Sequence, residues 1–187
     1  KVGPGTFYRL SVAGETKDWL MAQKSVPTPQ EILTAPGWSE SKRLGAAVAI
    51  PWSNGRPVPS STNQAIYAYY PTEEKIGSGF LIHGDFQVNT NRKRLVPTSP
   101  VTKVVRDLAI DVAVDLFEAV AGQGKKASVA LLDLLGEVGP VGVGFPQMLR
   151  TKLFERLAEV PLVPTRRGRA LKPSGHCLIL EFNRDDL

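Results

Sequence analysis

A mixed α/β fold, with a mixed sheet covered by helices, is what this sequence predicts, and three observations carry the prediction. Strand-like runs fill the first half of the 187-residue chain. A long helical pattern begins near residue 99, and two shorter ones follow it. A last apolar run, "HCLILEF" at residues 176–182, returns as a strand. Strands, then a long helix, then helices with a returning strand make one sheet with a helical layer.

Taken in order, "TFYRLSVA" and "DWLMAQKSV" are strands joined by "GETK", which makes residues 6–26 a hairpin. After "VPTPQ" a short helix or loop carries Trp38. "RLGAAVAIPW" is a continuous apolar run of the kind found in strands covered on both faces. "SNGRPVPSSTNQ" is rich in Pro, Ser, Asn and Gly and is expected to be an exposed loop. "AIYAYYPT" and "FLIHGDFQV" are two further strands that pair with each other, with the loop "EEKIGSG" between them. Glu73 and Glu74 form the charged tip of that loop and not a carboxylate pair, because nothing apolar surrounds them to raise a pKa.

The helix over 99–121 has Ser99 as N-cap, Pro100 at its first position and Gly122 as its stop. Val101, Val104, Val105, Leu108, Val112 and Leu116 recur at helical spacing and define its buried face. Asp107, Asp111, Asp115 and Glu118 mark its solvent face, where Lys103 and Arg106 offer weak pairs. "KKASVALLDLLGEVG" and "PQMLRTKLFERLAEV" are the two shorter helices, and "VGPVGVGF" is a flexible connector between them. "PLVPTRRGRALKPSG" supplies a short extended piece and a basic turn before the last strand. The division is an α/β domain over 1–122 and a helical extension with a returning strand over 123–187, packed on the same domain. Trp19, Trp38 and Trp52 are core or rim anchors.

Hydrophobic residues make up 42% and charged residues 22%, enough apolar surface for one sizeable core. No apolar stretch is long enough for a bilayer span and no signal-peptide core opens the chain, so neither membrane insertion nor export is expected, and a cytoplasmic location is. A chain that opens on Lys1 and not Met is expected to be a piece of a longer polypeptide. The one cysteine, Cys177, excludes an internal disulfide, and with His176 and His83 it makes no metal-ligand set. Ser78 and His83 lack the elbow and the opposed cleft of a hydrolase.

The chemical question sits in "IHGDFQVNTNRKRL", where Arg92, Lys93 and Arg94 follow a strand. Such a cluster is a solvated turn, a nucleic-acid contact or one half of a phosphate site. For nucleic acid, Lys24, Lys42, Arg43, Lys125, Lys126, Arg166, Arg167, Arg169 and Lys172 would have to join it on one face. The net charge is only +5, 18 acidic residues are mixed in, and Tyr67, Tyr69 and Tyr70 belong to a strand and are not interleaved with the cations.

The third reading is carried by a resemblance. In sacsin-like proteins an aromatic strand ends in a Leu-Pro-type turn, a Thr-Gly-Leu-Pro-Phe-type loop follows, and a strand ending Gly-Asp-Phe leads to Asn-Arg. Tyr70 and Pro71, Gly77 and Phe80, Gly84, Asp85 and Phe86, and Asn91 and Arg92 stand at the corresponding places here. In the 90-kDa heat-shock chaperones a related string has the spacing of Asp85, Asn89, Arg92 and Leu95 and precedes a long helix. Residues 65–117 therefore resemble the region that follows the nucleotide-binding domain in these GHKL ATPases. Residues 19–51 are similar more loosely, and "LAEVPLVPTRRGRALKPS" resembles a later sacsin-like segment.

The resemblance implies a middle-type domain that couples ATP hydrolysis to movement. ATP and Mg²⁺ would be held by a separate N-terminal domain of the same polypeptide, and Arg92 would reach the γ-phosphate when the two close. Lys93 and Arg94 would assist or solvate the loop, while Asn89, Asn91 and Asp85 would shape it. Protein clients or a homo-oligomer are further partners that it leaves open. The chain itself has neither the spaced Glu and Asn nor the Asp-x-Gly-x-Gly turn of such a pocket, and no Gly-Lys-Ser/Thr, so it is not expected to hydrolyse ATP alone.

Overall fold

A computed structural model describes residues 6–12, 15–34, 37–165 and 170–174. The strand expected at "HCLILEF", with His176 and Cys177, and the cations Arg166, Arg167 and Arg169 lie outside them. The fold is mixed α/β, a mixed sheet packed with helices.

Strand β1 (Thr6–Val12) pairs antiparallel with β2 (Glu15–Pro27), with Val12 opposite Glu15. The hairpin is therefore present, but Glu15, Thr16 and Lys17 belong to the strand and not to the turn. A turn at "GETK" would leave the backbone of Leu10–Val12 without its ladder partners. Helix α1 (Gln30–Leu33) buries Ile32, and Trp38 follows it half-buried against the core. Strand β3 (Arg43–Ser53) lies next to β2 and carries the continuous apolar run.

Just beyond β3 one expectation holds only in part and another fails. The "SNGRPVPSSTNQ" loop opens with a tight hairpin, in which Asn54 and Gly55 take φ of 49° and 75° and β4 (Arg56–Pro57) pairs back on Ser53 and Trp52. Asn-Gly is the dipeptide that adopts two left-handed residues in succession. "AIYAYYPT" is also not one strand. The chain reverses at Tyr69, φ 64°, between β5 (Ala65–Ala68) and β6 (Tyr70–Lys75). The Thr72 hydroxyl donates to the Ile66 carbonyl at 2.7 Å and stitches this irregular pair. Glu73, Glu74 and Lys75 are thus strand and not loop.

Strand β7 (Leu81–Gly84) pairs antiparallel with β3 and parallel with β5, Ile66 opposite Ile82, which is the pairing expected of the two runs. The seven-stranded sheet has the order β1-β2-β3-β7-β5-β6, with β4 on β3. A second, two-stranded sheet joins β8 (Val163–Pro164) and β9 (Ala170–Leu171).

Helices α2 (Pro100–Ala121), α3 (Lys125–Leu135) and α4 (Phe145–Leu157) bury Phe117, Leu131 and Leu149 in one cluster with Leu20, Val48 and Ile82 of the sheet. Ser99 precedes α2, but its hydroxyl bonds Gln87 and caps no helix N–H, so it fastens the incoming loop. Val104 is only half-buried, and Arg106 is buried at 8% exposure. The acidic face is paired only in part as expected. Arg106 binds Asp107, while Asp111 meets Arg156 of α4 and Asp115 meets Lys24 of β2, because those elements flank the helix.

The α3–α4 connector is held in place. Val138 donates to the Gly77 carbonyl at 2.9 Å, Gly142 to Lys75 at 2.8 Å, and the Asn63 amide to Pro140 at 2.8 Å. Its glycines serve close backbone approach, which a flexible linker would not need. Arg150 adds bonds to the Ile76 carbonyl and the Ser78 hydroxyl, at 2.9 and 2.7 Å, with its guanidinium over the Phe154 ring.

Gly84 is where β7 touches α2. A Cβ there would meet Val105 Cγ1 at 2.5 Å and Phe86 Cε2 at 3.0 Å. Gly84→Ala is expected to lower stability by about 1–3 kcal/mol by overpacking, seen as an earlier urea midpoint at unchanged slope.

Candidate functional site

The loop after β7 is built from its base. The Asp85 N–H donates to the Gly45 carbonyl at 3.1 Å, and the Gly45 N–H returns a 2.6 Å bond to the Asp85 carboxylate. Phe86, buried, meets the Phe145 ring edge-on at 5.8 Å. The Gly-Asp-Phe string thus gives a close helix contact, a latch on β3 and a core anchor. Above it Val88 bridges Leu95, and Val96 donates to the Gln87 carbonyl.

Two asparagines form the reversal. The Arg92 N–H donates to the Asn89 carbonyl and the Asn89 N–H to the Arg94 carbonyl, both at 2.9 Å. The Asn89 side chain accepts from the Arg94 N–H at 3.2 Å, and that of Asn91 from the Lys93 N–H at 3.0 Å. Both residues shape the loop through such bonds. Directly after Asn91, Arg92 has φ 59°, a left-handed conformation that glycine or asparagine adopts more cheaply than a long side chain. Outliers of this kind concentrate at functional sites.

The three cations are exposed but not equivalent. Lys93 forms an ion pair with Glu73 at 2.9 Å, and its carbonyl accepts the Glu73 N–H at 2.8 Å. Arg94 acts electrostatically on Glu73 and Glu74. Among the described residues the Arg92 guanidinium has no hydrogen-bond or ion-pair partner.

Glu73 and Glu74, assigned from sequence to a loop tip in polar surroundings, therefore flank the basic cluster. The Lys93 hydrogen bond and charge hold the Glu73 carboxyl below its ordinary range. Burial pushes Glu74 up, against the opposing pull of the Leu95 N–H and Arg94. No spacing in the sequence pairs these strands, so the Glu73–Lys93 contact had no local signal.

The two carboxylates give opposite pH dependences. The contribution of Glu73 is present above its ordinary value of 4.5 and is lost as pH falls through its lowered folded pKa. That of Glu74 is present below 4.5 and is lost as pH rises through its raised folded pKa, so its ionised form opposes folding at neutral pH. Glu74→Gln is expected to raise the thermal midpoint at pH 7, with the gain over the parent closing toward pH 4.

Among the described residues, three of the other cations have partners of their own and two lie at the far end of β3. Lys24 is paired with Asp115, Arg43 is bonded to Ser25, and Lys172 is paired with Glu159. Lys125 and Lys126 open α3 beside Arg56, which pairs with Ser53 at one end of β3, whereas the Arg92 loop is latched to Gly45 at the other. Eight residues of strand, about 26 Å, separate the two ends. Among the described residues no group of three or more His, Cys, Asp or Glu is placed to hold a metal ion, and no helix is long and apolar enough to cross a membrane. Comparison with known proteins finds no family model, curated protein or solved structure that matches the chain.

Proposed function

We propose that this chain is the coupling domain of a GHKL-type ATP-binding protein, and that Arg92 is the group it presents to the γ-phosphate of ATP held by a separate N-terminal domain. The observation that carries the reading is the state of that one side chain: exposed, unpartnered among the described residues, and set on a left-handed backbone in a turn that Asn89 and Asn91 brace. A guanidinium suits the task because it stays charged and offers a planar fork of donors to phosphate oxygens.

The neighbours divide the other work. Lys93 is engaged by Glu73 and tethers the loop to β6, Arg94 balances the two glutamates, and Asp85 fixes the base. On this reading ATP and Mg²⁺ belong to the neighbouring domain. The test is ATP turnover by the polypeptide that joins this chain to its nucleotide-binding domain, with Arg92→Ala and Arg92→Gly. Loss of turnover at nearly unchanged nucleotide affinity supports the reading. Unchanged turnover, or equal loss of both quantities, overturns it, and steeply salt-dependent binding of DNA or RNA by this chain would favour a nucleic-acid role.

A further inference from the structure

Two aromatic side chains with no task in the core stand beside the basic loop. As one strand, "AIYAYYPT" would bury alternate tyrosines. The reversal at Tyr69 instead carries two of them into solvent, Tyr69 78% and Tyr70 64% exposed. Among the described residues neither hydroxyl has a hydrogen-bond partner. Tyr69 holds φ 64°, where a bulky residue is an outlier. Among the described residues three non-glycine positions have such a backbone: Asn54, which its Asn-Gly turn accounts for, Tyr69 and Arg92. Strain kept for an exposed ring is strain kept to present that ring.

The topology brings the two strained positions to one end of the sheet. Strands β5 and β7 run parallel with Tyr67 beside His83, so the turn at Tyr69 and the loop that opens at Asp85 leave the sheet together. The Tyr69 and His83 rings meet edge-on, centroids 6.2 Å apart. From Tyr70, β6 runs three residues, about 10 Å, to Glu73, which holds the basic loop by the Lys93 ion pair and a backbone bond. The fold thus sets open aromatic rings beside Arg92, Lys93 and Arg94, an interleaving that the linear sequence lacks. Glu73 is neutralised by Lys93, and Glu74 is half-buried beside Arg94, which leaves the two guanidinium groups in surplus.

We propose that this end of the sheet binds single-stranded nucleic acid, with Tyr69 and Tyr70 stacking on bases and Arg92 and Arg94 meeting the phosphates. A tyrosine face accepts any base and a guanidinium offers phosphate a planar fork, so the site is short and tolerant of sequence. A duplex keeps its bases stacked on one another and offers the tyrosines nothing. Tyr and Arg are also common at protein interfaces, but uncompensated cations beside open rings favour a polyanion that carries flat groups. The assignment goes beyond the coupling role of Arg92 and does not rest on it. Phosphate is the ligand of that guanidinium in both, and the tyrosines are needed in this one alone.

The probe is a fluorescein-labelled oligothymidylate of about 12 nucleotides, mixed with the full chain at low salt and followed by fluorescence anisotropy. A Kd of about 10⁻⁵ M is expected, with log affinity falling against log salt at a slope of about −1.4, two phosphates at about 0.7 each. So shallow a slope sets this site apart from a dedicated nucleic-acid face. Tyr69→Gly is expected to weaken binding about tenfold while the thermal midpoint holds or rises, because glycine takes φ 64° without strain. Tyr70→Ala is expected to weaken it similarly, Tyr69→Phe to retain it, and Tyr8→Ala, at an exposed tyrosine of β1, to leave it unchanged. Equal binding by the Tyr69→Gly/Tyr70→Ala double variant, or equal binding of a duplex or of an abasic sugar-phosphate chain, reduces the site to charge alone and overturns the assignment. So does a slope steeper than about −4, which takes about six phosphates and a far broader cationic face. Absence of oligonucleotide binding also overturns it, and docking of the nucleotide-binding domain weakened by the same double variant would then give the tyrosines to a protein interface.

Discussion

Under the proposed coupling role, Arg92→Gly is expected to cut ATP turnover of the joined polypeptide by about 10³-fold or more while nucleotide affinity stays within about twofold. That loss corresponds to about 4 kcal/mol of transition-state stabilisation, at about 1.36 kcal/mol per decade. Glycine is the informative replacement because the position has φ 59°, a conformation it adopts without steric cost. The asparagine framework then keeps its shape, and the fold is expected to be as stable as the parent. Arg92→Lys keeps the charge but loses the fork, so an intermediate rate is expected. Lys93→Ala is expected to have a much smaller effect, because that ammonium is already committed to Glu73. Steady-state turnover beside equilibrium nucleotide binding separates these outcomes.

The largest stability effect is expected at Phe117. Its ring is fully buried on α2 and meets Phe80 edge-on, centroids 5.3 Å apart, where the helix layer covers the sheet. Phe117→Ala is expected to cost about 3–5 kcal/mol, since the surrounding side chains cannot collapse fully into the vacated space. Against a total of about 5–15 kcal/mol for a typical domain, this brings unfolding close to physiological temperature. Phe80 immediately precedes β7, which leads into the Arg92 loop, so the same variant is expected to loosen that loop. Urea unfolding measures the first effect, and amide exchange at Asn89 and Arg94 the second.

What could be read in the sequence was whatever repeats with a regular period. Helix α2 was legible because its apolar residues recur over 22 positions between Pro100 and the stop at Gly122. The apolar run of β3 and the β5–β7 pairing were legible for a similar reason. What escaped depends on single residues or on distant contacts. One left-handed residue, Tyr69, turns an expected strand into two and converts the expected loop tip into β6. Once β6 exists, Glu73 reaches Lys93, a contact that no local pattern announces. The same holds for the connector at residues 136–144, whose glycines suggest looseness until Gly77 and Lys75 are found to bind it. Asn89 and Asn91 bond backbone groups within their own loop, whereas Asp85, just past β7, reaches across to β3, a contact no local pattern announces.

Strand β6 ends the sheet, and a terminal strand with free backbone groups invites another chain to add itself. Here the Lys93 carbonyl and the Gly142 N–H occupy that rim from outside, and the charges of Glu73, Glu74 and Lys75 discourage intruders. The basic loop is therefore also a guard against fibre-like stacking, and swinging it outward would uncover the rim. A guanidinium mounted on such a guard travels with the whole body that carries it, so the proposed delivery to a distant phosphate would call for rigid-body approach and not an excursion of the loop alone.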